Sequence, residues 1–195
     1  MRYAGVGSRN ITNEEFKRCS TIATYLCHRG HGLNSGHADG SDIAFEIGSH
    51  AACIEGLYKC GDDIFLPYKG FNKKMNIDRL VEQDRYVVPE FNEEVERIVT
   101  KVVPYLDKLK YDKKTGELSF TWKAFLRNAY QVLGRDLNVP VDFLLCCSDW
   151  DNNGGVKGGT RVAYDLAKLH DIPCFNIRYE DEYTKFKAWY LKQRG

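Results

Sequence analysis

Apolar positions in this chain fall into two kinds of stretch. Short runs such as Tyr3-Ala4-Gly5-Val6, Ile64-Phe65-Leu66 and Phe143-Leu144-Leu145-Cys146-Cys147 are apolar over consecutive residues, as in strands covered on both faces. They predict strands over residues 2–6, 32–35, 63–67, 141–147 and 174–177. Between them apolar residues recur at helical spacing. Phe16, Ile22, Ala23 and Leu26 mark a helix capped by Thr12 or Asn13 and running to about His28, with Glu14 and Glu15 in its first turn. Ser41 opens a second helix through Ile43, Ala44, Ile47, Ala51 and Ile54. Further helices are predicted over about 91–106, 120–135, 160–170 and 181–193. Strands alternating with amphipathic helices predict an α/β, Rossmann-like three-layer domain with a mainly parallel sheet, spanning 1–195 as one unit. Residues 69–120 read as an inserted helical and irregular segment, with an exposed turn near Lys113-Lys114-Thr115-Gly116.

Three strand-to-helix junctions are rich in glycine and small polar residues. They are Gly5-Val6-Gly7-Ser8-Arg9, Ser35-Gly36-His37-Ala38-Asp39-Gly40-Ser41-Asp42, and Gly154-Gly155-Val156-Lys157-Gly158-Gly159-Thr160. In a parallel sheet such junctions gather at the carboxyl ends of the strands, where ligands bind. Their N–H groups and the helix N-termini behind them suit an anion, most simply the phosphate of a nucleotide. In the first loop Gly7 permits close backbone approach, while Ser8 and Arg9 offer a hydroxyl and a guanidinium. In the second, Asp39 or Asp42 suits helix capping, a ribose hydroxyl or a magnesium ion beside a phosphate, and His37 sits among them. Glu46 follows Asp42 at i+4. In the third, Trp150 is a candidate to stack on a base and Gly158-Gly159-Thr160 open a helix.

The charges nearly cancel, with 28 basic against 27 acidic residues and a formal net charge of +1, which argues against binding driven by nucleic-acid backbone alone. A hydrophobic fraction of 43% allows a sizeable core. No apolar run reaches the ~20 residues of a membrane span, and the N-terminus has no signal-peptide pattern. The seven cysteines include no CxxC pair and read as reduced residues of a cytoplasmic protein.

Together and in this order, Gly5-Val6-Gly7-Ser8-Arg9, Ser35-Gly36 with Ala38-Asp39-Gly40 and Asp42, Leu66-Pro67, Phe125 with Arg127-Asn128, and Gly159-Thr160 resemble the SMF/DprA–LOG superfamily of Rossmann-like proteins. The form resembled is the compact, stand-alone DprA-like protein of bacteria and phages. The resemblance implies that Gly7, Ser8, Arg9, Ser35, Gly36, Asp39, Asp42, Arg127, Asn128, Gly159 and Thr160 surround one pocket. It also implies one of three activities: hydrolysis, DNA-binding recombination mediation, or sensing of a signalling nucleotide. The LOG enzymes of this superfamily carry a Gly-Gly-x-Gly-Thr-x-x-Glu motif, whereas here Ala163 stands three residues after Thr160 and Asp165 is the nearest acid.

Three functions follow. The leading expectation is a protein that senses or sequesters a nucleotide-type small molecule, with Arg9 or Arg127 neutralising phosphate and Trp150 or Tyr68 covering the base. An N-glycosidase acting on a nucleoside phosphate needs a carboxylate near the anomeric carbon, and Glu46, Asp149 and Asp151 are the candidates. Single-stranded DNA binding needs a basic groove with exposed aromatics, for which Lys69, Lys73, Lys74 and Arg79 near Tyr68 and Phe71 are placed. A homodimer is compatible with each, a membrane partner with none.

Overall fold

The computed structural model describes residues 1–54, 61–75 and 85–193. Six strands form one parallel sheet: β1 (Arg2–Gly7), β2 (Gly32–Ser35), β3 (Asp63–Phe65), β4 (Tyr86–Val87), β5 (Phe143–Cys147) and β6 (Cys174–Asn176). Their spatial order is β4-β3-β2-β1-β5-β6. Six α-helices flank the sheet: α1 (Asn13–His28), α2 (Ser41–Ile54), α3 (Glu93–Thr100), α4 (Phe120–Leu133), α5 (Thr160–Leu169) and α6 (Glu180–Lys192). This is a Rossmann-like three-layer α/β fold. The chain builds outward from β1 to β4 and then returns through α4 to start β5 on the other side of β1. The order therefore reverses between β1 and β5, and that switch point is where open α/β sheets hold ligands.

Strand alternation divides the core. Tyr3, Phe143, Leu145 and Cys147 face α1, α2 and α6, where they join Leu26, Phe45, Phe186 and Tyr190. Ala4, Val6, Leu144 and Cys146 face the other way, against Val95, Val99, Trp122, Leu126 and Leu166 of α3, α4 and α5. Both faces of β5 are buried, which is why it reads as a continuous apolar run. Helices α1 and α2 cross closely at Gly48, where a Cβ would stand 2.0 Å from the Ser20 carbonyl oxygen, and Thr24 Oγ1 donates to the Gly48 carbonyl at 2.8 Å. Cys19, Cys146, Cys147 and Cys174 are free thiols, and Cys60 lies outside the described residues.

One expectation changes. The helix expected over 91–106 ends at Thr100, followed by turns and a 3₁₀ segment at Leu106–Leu109. Pro104 has no N–H to continue the ladder. The helical and irregular segment over 69–120 supplies β4, which pairs with β3, and α3, which packs on α4. Among the described residues no helix is long and apolar enough to cross a membrane.

Candidate functional site

The first three junctions meet at a hydrogen-bonded seam. Ser8 N–H donates to the Cys147 carbonyl at 2.8 Å, which ties the end of β1 to the end of β5. Ser41, at the start of α2, donates from its N–H to the Ser8 carbonyl at 3.1 Å. Its hydroxyl lies 3.1 Å from the Ser8 carbonyl oxygen and 3.2 Å from that of Cys147. The glycines make this approach feasible. A Cβ on Gly7 would stand 2.5 Å from both the Cys147 oxygen and Ser41 Oγ, and one on Gly5 would meet Leu33 and Phe45 at 2.8 Å. Gly40, at φ 83°, passes against the carbonyls of Ser8 and Arg9.

Above the seam opens a cleft of about 750 Å³. Its walls are the β1–α1 loop (Gly7, Ser8, Arg9), one face of α4, and the β5–α5 loop with the start of α5. Helix α4 contributes Phe120, Thr121, Ala124, Phe125, Arg127, Asn128 and Gln131, which recur every three or four residues and so share a face. Ser119 caps this helix by accepting from Trp122 N–H at 3.1 Å, and Gly134 at φ 79° ends it. Across the cleft stand Ser148, Asp149, Lys157, Gly158, Gly159, Thr160 and Arg161. Gly158 has φ 71°, a left-handed conformation that favours glycine. No side chain caps α5, whose first residues line the cleft beside Lys157; the N–H groups of Arg161 and Val162 donate to the Gly158 and Gly159 carbonyls at 3.2 and 3.3 Å. Helix α1 differs. Thr12 and Glu15 form a complete capping box, which occupies that N-terminus with the protein's own groups. Of these two N-termini, that of α5 is the one without a side-chain cap.

On the cleft floor Arg127 and Asp42 are both buried, with Nη1 3.5 Å from Oδ2. The Arg127 guanidinium lies on the backbone of Gly36, where a Cβ would stand 1.3 Å from Nη1. Glycine is required there for the arginine to lie down, a role distinct from phosphate contact. Burial is the main cause pushing the Asp42 carboxyl up to about 6, Arg127 opposing it and Glu46 adding to it. From an ordinary 3.8 to about 6, the folded protein binds this proton more tightly than the unfolded chain, so stability falls as pH rises through that window. Relative to Asp42→Asn, the wild type is expected to lose up to about 3 kcal/mol between pH 4 and pH 7. Urea melts of both proteins at the two pH values measure it, and an unchanged difference would refute the assignment.

The expected site residues divide. Gly7, Ser8, Arg9, Asp42, Arg127, Asn128, Asp149, Gly158, Gly159 and Thr160 line the cleft. Asn128 also ties the walls together, its Nδ2 donating to the Gly159 carbonyl at 2.9 Å. The others stand elsewhere. Ser35 is buried at the end of β2 and donates to the Gly5 carbonyl of neighbouring β1 at 3.0 Å. His37 and Glu46 form a buried pair, with Nδ1 2.7 Å from Oε2 and His37 N–H donating to Oε1 at 2.9 Å, an arrangement that holds His37 at φ 60°. Asp39 accepts from Asn72 Nδ2 at 3.0 Å. Among the described residues no group of three or more His, Cys, Asp or Glu side chains converges as metal ligands. Trp150 stacks on Tyr179 with ring centroids 5.9 Å apart. Asp151 organises its own loop, accepting from the N–H groups of Asn153 and Gly155 and pairing with Arg161 at 2.8 Å. Those two backbone donors lead the causes holding its carboxyl below the usual range.

An aromatic ledge borders the cleft at Phe120. Phe71 stacks on Phe120 at 5.8 Å, and Tyr68 meets both rings edge-on. Arg9 lies over the Phe120 ring, 5.3 Å from its centroid. Lys73 and Lys74 follow in a 3₁₀ turn, while Arg79 lies outside the described residues. Sequence reasoning missed Tyr105, Phe120, Lys157 and above all Gln131, whose only signal is its position one turn after Arg127 and Asn128.

A switch-point cleft on a Rossmann-like sheet defines the class to which this chain's fold belongs. No protein-family model matches the chain, and no curated protein matches it. Among solved structures, its fold is similar to that of DNA processing protein A from Helicobacter pylori, a protein described with a unique single-stranded DNA binding mode. The TM-score is 0.52 at 15% sequence identity, over 90% of this chain and 64% of the other. The chain thus spans under two thirds of that protein, and the likeness establishes a DprA-like fold.

Proposed function

We propose that this protein binds single-stranded DNA, with a phosphate and its nucleotide seated in the switch-point cleft and the adjoining bases laid over the aromatic ledge. The observation that carries the reading is the placement of an uncapped helix N-terminus, Arg9 and Lys157 around one cleft beside Phe120, Tyr68 and Phe71. Cationic groups that meet phosphate and ring faces that accept any base are what single-strand binding requires. The near-zero net charge is compatible with it, because Arg9, Arg127, Lys157 and Arg161 all line this one cleft. The fold likeness to a protein with a single-stranded DNA binding mode supports the same reading.

Fluorescence anisotropy with a labelled oligonucleotide across a salt series tests it. Affinity is expected to fall linearly with salt on logarithmic axes. Arg9→Ala is expected to weaken binding about tenfold, since a hydrogen bond to a charged group contributes about 1.5 kcal/mol or more. The same change should reduce the salt slope by about 0.7, the share of one phosphate contact on a single strand. Affinity that is flat with salt would refute backbone recognition.

A second reading, that the ligand is a free nucleotide that is sensed or sequestered, draws on the cleft volume, which falls within the range of small-molecule sites. A nucleoside monophosphate that binds as tightly as an oligonucleotide would favour it. For an N-glycosidase, Asp149 is the one of the three candidate carboxylates on the cleft wall, and it already accepts from Arg178 Nη1 at 2.9 Å.

A further inference from the structure

A primary amide lies at the floor of the cleft with no hydrogen-bond partner. Gln131 is 1% exposed, yet it lines the cleft, and neither Oε1 nor Nε2 is bonded. Arg127 Nε, one turn earlier on the same face of α4, is buried and unbonded as well. The two side chains meet over Gly36, where a Cβ would stand 2.7 Å from Gln131 Nε2 and 1.3 Å from Arg127 Nη1. Neighbouring polar side chains are satisfied: Asn34 donates to the main-chain carbonyl of Gln131 at 3.1 Å, and Asn128 and Ser35 donate to backbone. An orphaned amide in so well-bonded a setting is costly to folding unless a ligand completes it.

We propose that Gln131 and Arg127 read the lactam edge of a guanine or thymine base, an inference that rests on the single-stranded DNA reading above. A primary amide pairs cyclically with a lactam. Gln131 Nε2–H donates to the base carbonyl oxygen, and Gln131 Oε1 accepts the ring N–H. The second lone pair of that carbonyl oxygen accepts from Arg127 Nε–H. Adenine and cytosine carry an exocyclic amino group where this oxygen would lie, so Arg127 would face a donor with a donor. Mismatched donors in a buried site are what give polar pockets their selectivity. Asp42, 3.5 Å from Arg127 Nη1, orients the guanidinium for this contact.

The test is anisotropy with equal-length oligo-dT and oligo-dC, on the wild type, Gln131→Met and Gln131→Leu. The wild type is expected to bind oligo-dT about tenfold more tightly, the scale of one good two-point base contact. Gln131→Met should bring the ratio to about one and raise the melting temperature in the absence of DNA, because it removes a buried unbonded amide; Gln131→Leu provides the same readout with a different shape. If the wild type binds both oligonucleotides equally, or both variants keep its preference, base reading is overturned and DNA binding stands. If the wild type binds neither at low salt, both proposals fall.

Discussion

Arg127→Ala is expected to abolish detectable binding at the cleft and to lower the melting temperature by about 10 °C. The side chain is buried with Asp42 and lies flat on Gly36, so its removal leaves a space beneath α4 and a carboxyl with no cation. Breaking a buried pair by deleting one partner costs about 3–5 kcal/mol. For a chain of this length each kcal/mol corresponds to roughly 2–4 °C. Asp42, already up at about 6 with Arg127 opposing its rise, would become more strongly protonated and limit part of that cost. Binding suffers separately. Arg127 is the buried cation of the cleft lining, and its Nε is a donor with no partner in the protein. Arg127→Lys separates the two losses: it keeps a charge near Asp42 but lacks the planar fork, so stability should largely return while affinity does not. Thermal melts followed by circular dichroism, read beside anisotropy, measure both. A melting temperature within about 2 °C of the wild type, with affinity intact, would refute the floor role.

Most of the fold was legible because its signals are local. Consecutive apolar residues at 143–147, the capping residue Thr12, and helical spacing in α1 and α2 depend on short-range chemistry, and they placed those elements within a few residues. What escaped depends on distant neighbours. Strand β4 is two residues long and exists only because Ile64 and Phe65 lie beside it. Ser35 and His37 are polar and flank Gly36 in the second junction, and Glu46 follows in α2, as ligand contacts would. Their partners are the Gly5 carbonyl and each other, and no local pattern distinguishes a buried polar network from an open site. Trp150 was equally ambiguous until Tyr179, 29 residues away, was seen to hold it. The polar stripe Arg127, Asn128, Gln131 illustrates the converse. On periodicity alone it reads as the wet face of α4, whereas it is the buried wall of the cleft.

The glycines of the first junction carry the other large expected effect: Gly7→Ala should cost about 3 kcal/mol and melt the protein about 5–10 °C lower. Its Cβ would stand 2.5 Å from the Cys147 carbonyl oxygen, and neither strand end can yield without breaking the Ser8-to-Cys147 hydrogen bond. On the other side Ser41 Oγ is equally close, and Ser41 holds the start of α2 to the same two carbonyls. The added methyl therefore pries apart β1, β5 and α2 at the point beneath the cleft where all three converge. A phosphate-approach role for Gly7 makes a different demand. It would leave the melting temperature near that of the wild type and remove affinity from a protein that stays folded. Melting curves and anisotropy at a temperature well below the transition separate the two. A large drop in melting temperature assigns Gly7 to the seam. An unchanged one, with lost binding, would transfer the anion contact back to the first loop and away from the N-terminus of α5.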